Sequence, residues 1–251
     1  MSVTGAGPGD AASLDVPVLP LRTPRLVLFD VDFTLLRPSE LFEAPGYVEL
    51  GRRFGFDLDA ARWPLAERAA FNAVAERRER FGENHDDGLM IAIAEAVIGA
   101  LGGEGEDRIR AAALAQIERW RRVENFDLYP DVLSCLHRLD DAGLAVGIVT
   151  NTDRDLLEAI EHFGLSRFVT AVSASYDVGV MKPDPRIYAH ALEQAGVGPA
   201  DAVMVGDSFH DDVLGAQAAG LAAILLDRSG GSKKPAPTIR SLAELPAALG
   251  L

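Results

Sequence analysis

The sequence predicts an α/β protein whose core is a doubly wound parallel sheet. Five short apolar runs are typical of buried strands, and helical patterns separate most of them. The predicted strands are Leu26–Phe29, Ala145–Val149, Phe168–Ser173, Ala202–Val205 and Ala222–Leu226. Strands that alternate with helices favour a parallel sheet, because each connection has to cross back over it.

Helix signals support these connections. Pro185–Ala195 begins with proline, which suits the first helical position, and Asp184 before it suits the N-cap. Asp153–Phe163 carries acidic residues where the first turn of a helix favours them. A third predicted helix, Asp211–Ala219, stops at Gly220, a residue that commonly ends helices.

The long gap after the first strand predicts a second unit. About 115 residues separate Phe29 from Ala145, which is far more than one crossover requires. Three helical patterns dominate this gap: Ala60–Phe81, Asp87–Leu101 and Glu106–Val123. We therefore expect a flexible tail at 1–22, a core at 23–38 and 127–251, and a helical cap at 39–126 that covers the carboxyl ends of the strands.

Composition narrows the classes of partner. The 251 residues are 48% hydrophobic and carry a formal net charge of -14, which disfavours nucleic acid and anionic membranes. No apolar run approaches the roughly 18 to 20 residues of a membrane span, and the first 20 residues do not resemble a secretory signal. We expect a cytoplasmic protein, with the single cysteine, Cys135, as a core residue.

The first strand ends in an unusual pair of charges. Asp30 follows the apolar run directly, Asp32 comes two residues later, and Thr34 two residues after that. Two like charges so close together are costly unless they share a proton or a cation. Because open α/β sheets bind ligands at the carboxyl ends of their strands, this pair indicates a ligand site.

Further polar residues stand at the ends of other strands or between them. They are Thr150, Asn151, Lys182, Asp207, Asp211 and Asp212. Because the carboxyl ends of parallel strands lie on one edge of the sheet, we expect Asp30, Asp32, Thr150, Asp207 and Lys182 to converge there. Several carboxylates suit a hard cation such as Mg²⁺, while a hydroxyl, backbone N–H groups and a lysine suit phosphate oxygens. A carboxylate can also attack phosphorus, and a second can donate and accept the proton.

These motifs resemble those of the haloacid dehalogenase (HAD) superfamily, which consists mostly of phosphatases. Asp30–Thr34 matches the first motif, Thr150 the second and Lys182 the third, and Gly206–Ser208 with Asp211 and Asp212 matches the fourth. The resemblance implies a Rossmann-like core. The helical insertion resembles the C1 cap of the phosphoglycolate-phosphatase-like subgroup.

The resemblance also implies a Mg²⁺ site. In it, Asp30 is both nucleophile and metal ligand, and Asp32 is the general acid/base that binds the metal through its backbone carbonyl. Asp207 binds Mg²⁺ directly, and Asp212 supports the metal through water or holds the lysine. Asp211 stands where relatives often carry asparagine, and it could equally cap the following helix.

The remaining motifs are implied to bind phosphate. Thr150 and the Asn151 backbone hold the transferring phosphoryl group, and Lys182 neutralises its charge and orients the nucleophile. Phe33 departs from the pattern, because relatives most often have glycine there. Its ring must crowd the loop or pack under the cap. Arg37, close to the first motif in sequence, is a candidate for contacting the leaving group.

We therefore expect a Mg²⁺-dependent phosphatase that acts on a small phosphorylated metabolite through an aspartyl phosphate on Asp30. The second aspartate of the first motif favours phosphate esters over haloacids. A sugar phosphomutase with the same nucleophile and a non-catalytic binder of phosphorylated ligands or proteins are the alternatives. The oligomeric state stays open.

Two other groups of residues are predicted to be structural. His85, Asp86 and Asp87 resemble a metal cluster but favour a solvated turn that caps a helix. Trp63 and Trp120 favour the core of the cap.

Overall fold

The computed structural model describes residues 23–81, 87–152 and 154–251, without the side chains of 77–81 and 87. The predictions for the tail, for Asp153, and for His85 and Asp86 therefore lie outside the described residues. Among the described helices, none combines the length and apolar character that crossing a membrane would need.

Six strands form one parallel sheet, in the order β5-β4-β1-β6-β7-β8. The described strands in chain order are β1 (Leu26–Phe29), β2 (Leu36–Pro38), β3 (Phe126–Leu128), β4 (Ala145–Thr150), β5 (Val169–Ala174), β6 (Ala202–Gly206), β7 (Ala222–Leu226) and β8 (Thr238–Ile239). Of these, β2 and β3 pair with each other outside the six-stranded sheet. The predicted α/β fold class and all five predicted strands are confirmed. The short β8 was not predicted, because two residues carry no periodic signal.

Helices cover both faces of this sheet. The described α-helices, including α1 to α4 between β2 and β3, are α1 (Ala44–Arg53), α2 (Trp63–Phe81), α3 (Asp87–Ala100), α4 (Glu106–Trp120), α5 (Val132–Asp141), α6 (Leu156–His162), α7 (Ser175–Val178), α8 (Pro185–Ala195), α9 (Gly215–Ala218) and α10 (Leu245–Ala248). The prediction for α8 is confirmed to the residue, and the Asp184 carboxylate accepts a hydrogen bond from the Arg186 N–H. The predicted helix at 211–219 is instead a π-helical segment, Phe209–Leu214, followed by α9.

The side chains of β1 point alternately to the two faces of the sheet, and each face has its own hydrophobic cluster. Val27 and Phe29 pack on one face against α5 and α6, whereas Leu26 and Leu28 pack on the other face against α8. Successive side chains of a strand point to opposite faces, so a fully apolar strand requires cover on both sides. Cys135 of α5 lies in the first of these clusters, 1% exposed, as predicted.

The helices between β2 and β3 have a hydrophobic core of their own. The chain leaves and returns through an antiparallel ribbon in which Leu36 pairs with Leu128 and Arg37 with Asp127. Trp63 packs against this separate core, as predicted. Trp120 does not: it packs against the main core beside the ribbon, because α4 ends there.

Candidate active site

The loop after β1 places two carboxylates at the edge of the sheet. The Asp30 N–H donates to the Val205 carbonyl at 3.0 Å, which continues the β1–β6 ladder by one residue. The chain then turns tightly, because the Val31 carbonyl accepts hydrogen bonds from the N–H groups of Leu35 and Leu36. Asp30 and Asp32 both line the cleft beyond this edge.

Lys182 forms a buried ionic bridge at the bottom of the cleft. Its ammonium nitrogen lies 2.6 Å from Oδ1 of Asp30 and 2.6 Å from Oδ1 of Asp212. The lysine is 4% exposed, so its charge needs these partners. Desolvation lowers the pKa of Lys182, but the two carboxylates outweigh it and raise the pKa overall. The lysine therefore stays protonated at neutral pH.

The side chain of Asn151 holds the loop that carries this lysine. Its Oδ1 accepts from the Lys182 N–H at 2.7 Å, and its Nδ2 donates to the Lys182 carbonyl at 3.1 Å. The amide thus clamps the backbone of Lys182 to the end of β4. Thr150, the last residue of β4, is buried directly before it.

Three carboxylates cluster around the bridge. Oxygen atoms of Asp30, Asp207 and Asp212 all lie within 4.8 Å of one another. Desolvation, the Asp30 charge and the Asp212 charge raise the pKa of Asp207 to about 8. The pKa of Asp212 is raised to about 7 by desolvation and by Asp30, against the lowering effect of Lys182. Desolvation is the larger cause of both raised pKa values, and a divalent cation would relieve the mutual repulsion that adds to it.

The residues of the fourth motif leave no room for a side chain at Gly206. A Cβ there would lie 2.2 Å from the carboxyl carbon of Asp212, whose Oδ2 accepts from the Ser208 N–H. Asp211, by contrast, turns its carboxylate to His210 Nδ1 at 2.8 Å. Its N–H donates to the Ser208 hydroxyl, so it occupies the first turn of the π-helical segment.

Asp32 has a partner that the sequence did not predict. Its Oδ1 accepts a hydrogen bond from the Arg154 guanidinium, which also lies 4.3 Å from the Phe126 ring centroid and 5.6 Å from that of Trp120. Desolvation raises the pKa of Asp32, and Arg154 opposes that rise. The available signal was position: Arg154 follows the end of β4, at the same sheet edge as Asp32.

One cleft of about 1320 Å³ brings the predicted site residues together. It is lined by Asp30, Asp32, Thr150, Asn151, Lys182, Asp207 and Asp212. Arg37 is not among the lining residues. It lies half exposed on the β2–β3 ribbon, 3.7 Å from the Asp127 carboxylate, so the idea that it contacts the leaving group is not supported.

Phe33 is the most strained of the described lining residues. Its φ of 61° lies in the left-handed region, which costs a residue with a side chain roughly 1 to 2 kcal/mol. Its ring is 45% exposed in the cleft, with its centroid 6.1 Å from that of Trp120. A left-handed turn explains why glycine is common here, and the ring is accommodated by facing Trp120 from the core side.

Comparisons with known proteins agree with this architecture. A family model described as haloacid dehalogenase-like hydrolase matches residues 24–220. Phosphoserine phosphatase from Thermus thermophilus is 32% identical over 222 residues, covering 81% of this chain and 89% of the relative. Glyceraldehyde 3-phosphate phosphatase from Methanopyrus kandleri is 29% identical over 207 residues, covering 81% of this chain and 84% of the relative.

A solved structure is similar over almost the whole chain. The HAD phosphatase from Thermococcus onnurineus has a TM-score of 0.59 and 28% sequence identity, and the match covers 90% of this chain and 98% of that one. The family model spans all four motifs and four of the six strands of the sheet, β1, β4, β5 and β6. The chain therefore belongs to the haloacid dehalogenase-like hydrolases.

Proposed function

We propose that this hydrolase is a Mg²⁺-dependent phosphatase that cleaves a small phosphorylated metabolite through an aspartyl phosphate on Asp30. The observation that carries the proposal is the buried Lys182, which bridges Asp30 and Asp212 beside a third carboxylate at the sheet edge. The names of the relatives, phosphoserine phosphatase and glyceraldehyde 3-phosphate phosphatase, support phosphatase activity.

The acidic cluster fits a hard cation. Asp207 lines the cleft and is exposed there, and desolvation together with charge repulsion raises the pKa values of Asp207 and Asp212. The side chains of Asp30, Asp207 and Asp212, with the backbone carbonyl of Asp32, would hold Mg²⁺. When bound, the ion would neutralise negative charge on the phosphoryl oxygens.

In this proposal Asp30 and Asp32 carry out different parts of the reaction. Lys182 holds Oδ1 of Asp30, so attack on phosphorus falls to Oδ2. As the Asp30 oxygen bonds to phosphorus, the ester P–O bond breaks and Asp32 gives its proton to the leaving oxygen. Water then attacks the phosphorus while Asp32 takes its proton, the bond between the Asp30 oxygen and phosphorus breaks, and phosphate leaves with Asp30 free again. Burial favours Asp32 as the proton donor, because it raises the pKa of that carboxyl group.

Two further groups bind and cover the substrate in this proposal. Thr150 and the Asn151 N–H lie at the end of β4, where a hydroxyl and a backbone donor can hold phosphoryl oxygens. Residues 39–126 act as a cap over this edge and exclude bulk water while the ester is cleaved. Met90, Ile117 and Trp120 of this segment already line the cleft.

The test is release of phosphate from p-nitrophenyl phosphate, with Mg²⁺ or with EDTA. We expect activity only with Mg²⁺, and a loss of more than about 10³-fold in Asp30→Asn, because that variant lacks the nucleophile. Asp57→Asn, which changes an exposed carboxylate outside the cleft, is the matched control and should behave as the native protein.

Two results would replace the proposal with one of the alternatives. Transfer of labelled phosphate between positions of a phosphosugar, without release, would indicate a phosphomutase. Binding of phosphorylated ligands with Mg²⁺ but without turnover, over a panel of phosphorylated metabolites, would indicate a binding protein. Rapid-quench trapping of phosphate on Asp30 tests the covalent intermediate directly.

A further inference from the structure

Part of the cleft lining is apolar. Met90 of α3, Ile117 and Trp120 of α4, and Phe33 from the core form it, and we call these four residues the apolar wall. Within the described part of residues 39–126, no charged side chain lines the cleft. The described part of residues 39–126 therefore offers a leaving group hydrophobic contact rather than ion pairing.

Phe33 indicates that this surface has a use beyond folding. Its ring is 45% exposed, and its backbone has the left-handed φ of 61° that a glycine would adopt without strain. Exposure and strain both disfavour phenylalanine here on grounds of stability alone. Strained residues of this kind cluster at sites that bind ligands, and this one directly follows Asp32.

Cations elsewhere in the cleft are already engaged. Arg228 donates to both carboxylate oxygens of Asp131, at 2.9 and 3.1 Å, and its guanidinium lies 3.7 Å from the Tyr129 ring centroid. Lys234 lies 5.2 Å over the ring centroid of Phe209. Arg228 is therefore held by Asp131, and the rings form the apolar surface beyond the phosphoryl site.

We propose that the apolar wall binds the leaving group and selects phosphate monoesters of aryl or other apolar alcohols over those of small polyols and hydroxy acids. This inference rests on the proposed phosphatase function and names its substrate class. The phosphate enters at Lys182 and Asp207, and an aromatic leaving group stacks against Phe33 and Trp120.

The first experiment compares kcat/KM for 2-naphthyl phosphate and for glycerol 3-phosphate in the presence of Mg²⁺. The native protein should favour the naphthyl ester by at least about tenfold, since hydrophobic pockets discriminate by roughly 10- to 200-fold per methylene group. Phe33→Gly should reduce this ratio about tenfold, chiefly through KM for the naphthyl ester. Phe33→Leu should keep most of it, because the side chain stays apolar.

A matched control separates the apolar wall from exposed aromatic residues in general. Phe71 is 75% exposed on α2 and does not line the cleft, so Phe71→Ala should leave the ratio unchanged. Phe33→Gly removes backbone strain, so its thermal midpoint should equal or exceed that of the native protein. A native preference for glycerol 3-phosphate, or an equal loss for both esters in Phe33→Gly, would overturn the proposal.

A binding measurement distinguishes failure of this inference from failure of the phosphatase proposal. Calorimetry on Asp30→Asn with Mg²⁺ should show tighter binding of 2-naphthyl phosphate than of glycerol 3-phosphate. Adding Phe33→Gly should remove most of that difference. If the native protein hydrolyses neither ester but this pattern holds, only the phosphatase proposal fails; if the pattern is absent, the apolar wall is not the binding surface.

Discussion

The two sides of the cleft are built in opposite ways. At the sheet edge, Lys182, Asp30 and Asp212 are buried charges that hold one another through hydrogen-bonded ion pairs. In the apolar wall, Phe33 and Trp120 are aromatic rings supplied by a strained turn and by a helix end. The comparison teaches that buried charges and exposed rings divide the cleft, and in our proposals the charges act on the phosphoryl group while the rings bind the group attached to it.

Removing the Lys182 ammonium group should cause the largest loss of activity. Lys182→Met leaves Asp30 and Asp212 buried without their partner, so we expect a loss of roughly 10³-fold in kcat. Loss of one member of a buried ion pair also costs about 3 to 5 kcal/mol in the free energy of unfolding. Denaturant unfolding and steady-state kinetics measure both effects. Lys233→Met, at an exposed lysine, is the control; a Lys182→Met protein with near-native kcat would contradict the prediction.

A methyl group at position 206 should displace one carboxylate without changing its charge. The added Cβ of Gly206→Ala would lie 2.2 Å from Cγ of Asp212, so that side chain has to move. We expect kcat/KM to fall about 10²-fold, because displacements near 1 Å have effects of that size. Gly231→Ala, where the nearest atom is the Ser229 hydroxyl oxygen at 3.9 Å, should be neutral. Equal activities for the two variants would show that Asp212 tolerates movement.

Arg154 contacts Asp32 among the charged residues and the Trp120 ring in the apolar wall, so its removal tests how one group affects the other. The guanidinium lowers the pKa of Asp32, so Arg154→Met should raise it further. Asp32 is proposed to act as an acid in its protonated form, and the basic limb of the pH profile of kcat/KM should move to higher pH. Arg37→Met removes an ion pair outside the cleft and should leave the limb in place. A shift toward lower pH would rule out this role for Arg154.

The smallest effect on activity is expected at Asp131, behind the cleft. Desolvation raises its pKa, but hydrogen bonds from Arg228, Ser241 and the Leu242 N–H outweigh it and lower the pKa overall. A lowered pKa stabilises the fold above the unfolded-state value, and this contribution is lost as the pH falls through the folded-state value.

Asp131→Asn should therefore reduce the free energy of unfolding at pH 7 by about 1 to 2 kcal/mol, and the difference should shrink below about pH 4. Urea unfolding at several pH values measures it. Asp140→Asn, at an exposed carboxylate 3.5 Å from the Arg167 guanidinium, should change stability by less than about 0.5 kcal/mol. A constant difference across the pH range would mean that the Asp131 charge is not involved.

Local patterns predicted most of the core. Buried strands appear in the sequence as short apolar runs, and the start of α8 follows from Asp184 and Pro185 alone. The β2–β3 ribbon was missed, since each strand has three residues and they pair across about 90 positions of sequence. The π-helical segment was missed as well, because its residues have the same pattern as an ordinary helix.

The sequence by itself determined the kinds of groups at the site and the edge of the sheet on which they lie, because strand ends and motif residues are local features. Only the tertiary structure decided that Arg154 meets Asp32 and that Phe33 faces Trp120. These contacts join residues about 90 to 120 positions apart, and they depend on how a helix end and two loops pack together. No periodicity or spacing encodes such a meeting, since it depends on the path of the chain between them.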